Sequence, residues 1–471
     1  MVLSANETAF ENLIIRDCFD TAVLIADEVE EYDRFESDNP PDEARRLDVT
    51  VRSVDFVGNA ARGDDIPAGG FVAGEKVHAE LIGCRFERNV GVTGGAIAFY
   101  GNSLLLEECG FARNNASNSG GAIYADRVAG ERADEPITAV TITNCTFTDN
   151  RSLDGAEDEA ALTLDRLVLL ETNRYLVFPL PTRSGGAIFV TGFDQFILES
   201  SNFTGNRAVP AGGAVYLGDN KQCAIAGCRF FDNAVLAPPM STGGSDLLQG
   251  GALFVAFADT EARLRIERSL FVNNFASLGG ALHFVAPADT EFLMRNSELR
   301  NNVATSGGGA VVIRNTISPS VHQTNFSNNT AFVGGAIMLT NGAGLDLPEG
   351  IREDLVSRFP DNVAFDGGAI CGLGGGTLRF FGTLFEKNLA QRRGGAVCYI
   401  DSMASGSLLV LHARMSGNRA EAGGAIFLDN IVEFRLVPRT TSPATDGGLS
   451  LPGHIFNRFE KYVSLLFGIQ A

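Results

Sequence analysis

Apolar and polar positions along this chain repeat one pattern many times. Take a recurring aromatic as position 0. Apolar residues then stand at −7 and −5, a small residue at −2 and Asn at +3. Leu104, Leu106, Cys109, Phe111 and Asn114 spell the pattern, as do Val140, Ile142, Cys145, Phe147 and Asn150. Leu264, Ile266, Ser269, Phe271 and Asn274 spell it again. Steps of two within each pair have the period of a strand. The step of three between the pairs is odd, so a bend or bulge separates two short strands. Gly-Gly-Ala plus Ile, Val or Leu then opens a third strand, as in Gly185-Gly186-Ala187-Ile188-Phe189-Val190.

The glycine motif starts at residues 94, 120, 185, 212, 250, 279, 308, 334, 367, 394 and 423. Seven of these eleven copies follow a Phe-x-x-Asn that begins eight or nine residues earlier, as Phe385 to Asn388 precedes Gly394. Spacings of 26 to 38 residues, with one gap of 65, mark a solenoid. Three short strands with tight turns make one coil of a parallel β-helix. The expected fold is all-β, a solenoid of about 12–14 such coils.

Each column then has a physical task. Phe86, Phe111, Phe203, Phe230, Phe326 and Phe385 point inward and stack, with Leu299 and Met415 filling the column in two coils. Asn89, Asn114, Asn206, Asn274, Asn329 and Asn388 suit a turn, because Asn tolerates the left-handed region and hydrogen-bonds backbone of its own or the next coil. The glycine pair supplies positive φ or a corner too crowded for a Cβ. Position −2 holds Cys84, Cys109, Cys145 and Cys228 where other coils use Ser201, Ser269, Ser297, Thr324, Thr383 and Ala413, so it wants a small inward side chain. Cys371 and Cys398 follow the glycine motif. With no CxxC pair and no clustered His, the thiols read as structural, and no metal is expected.

Three regions result. Residues 1–48 are a degenerate coil followed by an acidic, Pro-containing insertion at 26–48. Residues 49–436 are the array, and residues 437–471 a tail. In that tail Ile455, Phe459, Tyr462, Val463 and Leu466 fall on one helical face, so His454 to Gly468 reads as a capping helix over the last open rung. Insertions at 151–184, 234–249 and 341–358 are expected at the Asn-to-glycine turn, emerging on one side. Residues 125–137 lie at another turn, and Glu157 to Leu170 has helical composition.

Composition adds exclusions. A net charge of −20 disfavours nucleic acid and anionic lipid, and no run of 18 apolar residues spans a membrane. No signal peptide is visible before Leu13, where the repeat already begins, so the chain reads as a fragment. A self-repelling monomer is expected. The histidines, at 78, 283, 322, 412 and 454, share no spacing, and HExxH, GxSxG, P-loop and dinucleotide motifs are missing. Candidate acids are Asp64-Asp65, Asp154 with Glu157 to Glu159, and Asp361 with Asp366. None is joined to a nearby Lys or His in equivalent turns of adjacent coils. Arg62-Gly63-Asp64 is an adhesion-type tripeptide, and glycosylation sequons occur at Asn6, Asn115, Asn144, Asn150, Asn202, Asn325 and Asn328.

Over residues 49–430 the paired Gly-Gly-Ala-Ile and Phe-x-x-Asn motifs resemble the repeats of the chlamydial polymorphic outer membrane proteins. More broadly, they resemble those of right-handed, pectin-lyase-like β-helix proteins. The resemblance implies a right-handed helix and a surface-exposed adhesin or immune-facing scaffold, with no catalytic residues to carry over. The chain departs from that family in lacking a signal peptide and a C-terminal barrel. The expected function is therefore a non-enzymatic cell-surface or secreted scaffold. Its partner would be a host or neighbouring-cell surface protein or glycan, with no cofactor. The alternative is a lyase or hydrolase of acidic polysaccharide, which would hold acids and bases in neighbouring coils on one face.

Overall fold

The structure is a computed structural model. It describes residues 2–3, 7–19, 21–25, 47–61, 67–74, 76–127, 137–152, 184–236, 248–316, 318–348, 356–401, 405–437 and 449–452. The chain divides into a first unit, residues 1–220 with 235–244, and a second, residues 221–234 with 245–471.

One coil of the first unit shows the construction. A long strand, Val77–Ile82, is followed by a Phe strand, Arg85–Glu87, a short segment, Val90–Gly91, and a post-glycine strand, Ile97–Phe99. Every one pairs in parallel with its counterpart in the next coil: Leu81 lies beside Leu106, Phe86 beside Phe111, Val90 beside Asn115 and Ile97 beside Ile123. The second unit repeats this arrangement, as in Phe271 beside Leu299 and Leu282 beside Val311. The fold is a right-handed parallel β-helix, and no described residue is helical. The short segment after Asn is a fourth pairing element beyond the three strands that the pattern predicts.

Strand spacing sets the geometry of the core. Phe56, Phe86, Phe111, Phe147 and Phe203 of the first unit stack with centroids 4.6–4.9 Å apart and rings within 3° of parallel. Face-to-face stacking is not the preferred arrangement of isolated aromatic pairs. Here the 4.7–4.9 Å rung spacing imposes it, and burial supplies the stabilisation. In the second unit Phe230 stacks on Phe271, Phe326 on Phe359, and Phe359 on Phe385.

The Asn column corrects part of its assigned task. The left-handed residues are at +2 and −3: Arg88, Arg113 and Asp149 follow the Phe strand, and Ser53, Glu108 and Asn144 precede it. The +3 Asn residues are buried and form a ladder. In the second unit the backbone N–H and Nδ2 of Asn302 both donate to Asn329 Oδ1, at 3.0 and 3.1 Å, and Nδ2 also donates to the Phe271 carbonyl at 3.1 Å. Asn274 donates to Asn302 Oδ1 in the same two ways. A corner that turns away from the sheet strands its backbone donors, and the amide satisfies them.

Position −2 is also a ladder. In the first unit the Cys84 N–H donates to Cys109 Sγ, the Cys109 N–H to Cys145 Sγ and the Cys145 N–H to Ser201 Oγ. In the second unit Cys228, Ser269 and Ser297 do the same. The column therefore selects for an acceptor as well as for small size. All eight cysteines are free. The Cys145 side chain, then burial, pushes the Cys109 thiol up to about 12, well away from thiolate reactivity.

The two glycines of a pair have different reasons. Gly120 has φ +65°, and a Cβ on it would lie 2.1 Å from the Ile123 carbonyl oxygen. A Cβ on Gly121 would lie 2.1 Å from the Gly186 carbonyl oxygen of the next coil. The same corner recurs at Ala68-Gly69-Gly70 ahead of Phe71–Ala73, where Phe71 lies beside Ile97. The motif misses this copy because Ala68 stands in place of the first glycine and Gly70 in place of the Ala.

The insertions do not all interrupt the same turn of a coil. Residues 153–183 and 237–247 do interrupt the Asn-to-glycine turn. By contrast, Leu345–Leu347 is a long strand paired with Thr377–Phe381, so the interruption at 349–355 falls before the Phe strand Arg358–Pro360. The expected capping helix from His454 and the helical stretch Glu157 to Leu170 lie outside the described residues. What the structure does place at this end is Leu449–Pro452, paired antiparallel with the last long strand, Glu433–Val437.

Candidate functional site

Of the acids singled out by sequence, Asp64, Asp65, Asp154 and Glu157 to Glu159 lie outside the described residues, as do Arg62-Gly63-Asp64, Asn6 and His454. Asp361 occupies the left-handed turn position after Phe359, with φ 57°. Asp366 is buried and takes a two-pronged hydrogen bond from Arg392, through Nε at 2.9 Å and through Nη2. That carboxylate is committed to an ion pair. Among the sequons, Asn150 is part of the first unit's buried ladder and unavailable for glycosylation, whereas Asn144 and Asn328 are exposed turn residues.

The long-strand sheet of the second unit assembles a group that the sequence reading did not join. Alternation buries Val321, Leu345, Leu347, Leu378 and Phe380 and turns Ser320, His322, Asp346 and Arg379 outward. In register, Leu293, Ser320, Asp346 and Arg379 form one row across four coils, with Arg295 beside His322 in the next. Ser320 Oγ and His322 Nε2 are 2.8 Å apart. Burial lowers the His322 pKa, with Asp346 opposing and Arg295 adding to the effect. Burial raises that of Asp346, against the pull of Arg379 and His322. Asp346 Oδ1 is buried without a hydrogen-bond partner. Ion pairs flank the group, Arg265 with Glu291 at 3.1 Å and Arg295 with Glu267 at 2.7 Å. A neutral imidazole, one carboxyl group and guanidinium groups suit proton abstraction beside a neutralised carboxylate. They do not supply the two opposed carboxylates of glycoside hydrolysis. The signal was hidden because 341–358 reads as one insertion, which conceals Asp346 in a strand.

A second surface runs along the short segments of the same unit. Phe275, Val303, Thr330, Val363 and Leu389 follow one another in register. Phe275, Val303 and Leu389 are 37%, 39% and 43% exposed. Two residues further along, Phe332, 55% exposed, stacks on Phe365 at 4.8 Å, and the Arg392 guanidinium lies 4.8 Å over the Phe365 ring. The Asp366 pair fixes that guanidinium, so the ledge of two aromatic rings, a cation and aliphatic side chains is held rigid. Its exposed apolar residues escape a period-of-two scan, since Phe275, Val303 and Leu389 directly follow the ladder asparagines, beyond the alternating strands.

Among the described residues no group of three or more His, Cys, Asp or Glu side chains is placed to hold a metal ion, and no helix is long and apolar enough to cross a membrane. The family model described as right handed beta helix region matches residues 69–290. Together with the stacked parallel sheets, this makes the chain a β-helix repeat protein. No curated protein and no solved structure matches it.

Proposed function

We propose that this chain is a non-enzymatic, extracellular or cell-surface scaffold of the kind its repeats resemble in chlamydial polymorphic outer membrane proteins, binding a surface protein or glycan of a host or neighbouring cell. One observation carries the reading, the exposed ledge of Phe332, Phe365, Arg392 and Leu389 on a rigid sheet. Folded proteins seldom leave aromatic and aliphatic groups contiguous in water, and aromatic and arginine side chains dominate binding energy at interfaces. The test is binding of the chain to a panel of immobilised cell-surface glycoproteins and glycans. Phe332→Ser combined with Leu389→Ser should weaken binding by about tenfold or more. The fold should be unaffected, since Thr305 follows Ala304 in the preceding coil as Phe332 follows Ala331. Binding that survives the double substitution overturns this assignment.

A second reading, a lyase of acidic polysaccharide, is favoured by the grouping of Ser320, His322, Asp346 and Arg379 in neighbouring coils on one face. Incubation with uronate polymers, followed by the appearance of unsaturated ends, tests it. Under this reading His322→Asn should lower the rate at least a hundredfold, the usual scale of a lost general base. No unsaturated product from any uronate polymer rules it out.

A further inference from the structure

The post-glycine sheet of the second unit carries a third group, separate from both surfaces above. Its strands Leu282–Val285, Val311–Arg314 and Ile337–Thr340 lie side by side, with Val285, Arg314 and Thr340 in one row and His283, Val312 and Met338 in the next. Leu282, Phe284, Val311, Ile313, Ile337 and Leu339 fill the core, so alternation turns both rows to the outer face. That face folds over the glycine corner. A Cβ on Gly308 would meet Val312 Cγ2 at 2.6 Å, and one on Gly307 would meet Met338 Sδ at 2.0 Å.

Arg314 is half-buried there, and among the described residues no carboxylate pairs with it. Burial draws its pKa down. His283 is fully buried, edge-on to Phe254 at 5.5 Å, and neither ring nitrogen has a hydrogen-bond partner. Burial, and then the Arg314 charge, hold it well below the usual imidazole range, so it is neutral and carries one N–H. Thr340 Oγ1 is buried and likewise unpartnered.

A guanidinium withdrawn from water without a counter-ion is costly, and a chain of net charge −20 has many carboxylates from which to supply one. Instead a planar fork, a hydroxyl and an imidazole N–H gather on one face with no negative charge among them. Donors gathered about a cation with no anion to receive them describe half of a charge-assisted hydrogen-bond network, and the missing half is a planar or tetrahedral oxyanion.

We infer that Arg314, with Thr340 beside it and His283 in the neighbouring row of the preceding coil, forms a binding site for an oxyanion of carboxylate or phosphate size. Arg314 makes the two-pronged contact, which Lys cannot reproduce. Such an anion reaches the face either as a free ion or as the carboxylate of an acidic sugar.

Thermal unfolding of the chain with sodium phosphate, with trigalacturonate, and with sodium chloride at equal ionic strength tests the site. Phosphate or trigalacturonate should raise the melting temperature above the chloride control, and titration gives an affinity. Protection by trigalacturonate alone assigns the acidic sugar, and protection by phosphate assigns the free ion. Arg314→Lys should weaken the affinity about tenfold, the scale of one charge-assisted hydrogen bond. Arg314→Thr, which copies Thr340 of the same row, should abolish protection. His283→Val, which copies Val312, should weaken it while leaving the fold intact. The site is refuted if neither anion protects beyond chloride, or if Arg314→Thr is protected as the wild type is.

Discussion

Asn302→Asp in the middle of the second unit's ladder should destabilise that unit by about 3–5 kcal/mol at pH 7.5, the scale of an uncompensated buried charge. The substitution keeps size and shape, and Oδ1 still accepts from Asn274. The second oxygen, however, replaces a donor. It faces Asn329 Oδ1 and the Phe271 carbonyl, both of them acceptors. The new carboxyl is driven to keep its proton, so its folded pKa rises above an unfolded value of about 3.9. A raised carboxyl pKa means that the folded state binds the proton more tightly. Stability is therefore highest below the unfolded pKa and falls as pH rises toward the folded one. Urea unfolding at pH 4 and pH 7.5 should show the Asp variant close to wild type at the lower pH and far below it at the higher. Asn302→Leu, which loses the acceptor for Asn274 as well but adds no charge, should show a deficit independent of pH. A deficit of the Asp variant that is the same at pH 4 and at pH 7.5 would refute this account of the ladder.

Phe271→Ala should cost about 3–5 kcal/mol, as removal of a fully buried aromatic does. Phe271 is inaccessible to solvent, stacked on Phe230 at 4.6 Å on one side and adjoining Leu299 on the other. The rung spacing is fixed by backbone hydrogen bonds on both sides, so the coil cannot collapse into the space and the cavity persists. Phe271→Leu should be much milder, because Leu299 already holds this position in the next coil. Chemical denaturation of both variants measures the difference. A loss near zero for Ala would falsify the stacked-column account.

These two predictions draw on columns that the sequence already displays, and the reason is local. Phe271 and Asn274 sit three residues apart in the same corner, so each coil must repeat the same choice whatever lies around it. The bend shows as well, because the odd step between Ile266 and Ser269 cannot fit one flat strand. The left-handed positions do not show, since Arg88, Arg113, Glu108 and Asp149 are there in place of glycine. A side chain in that region is tolerated wherever the turn is exposed and fixed from both sides. The candidate sites are less legible still. His322 and Asp346 are 24 residues apart, and Asp346 and Arg379 33. They meet only through registers that depend on the length of every intervening turn. Arg314 and His283 add a further condition, because their importance lies in partners they lack, and a missing partner leaves no trace in a motif.

The Asn ladder has a direction. Along the ladder the backbone N–H and one Nδ2 hydrogen of each Asn reach the amide oxygen of the following coil, and its own amide oxygen accepts from the preceding one, as in Asn274 to Asn302 to Asn329. A column of aligned amides has a head and a tail, so two such helices could extend one another only head to tail, like magnets in a row. Leu449–Pro452, running antiparallel on the final long strand, puts a reversed backbone where the next parallel coil would attach. On that sheet the polymerising edge is occupied by a segment of the same chain, so no further parallel strand can pair there.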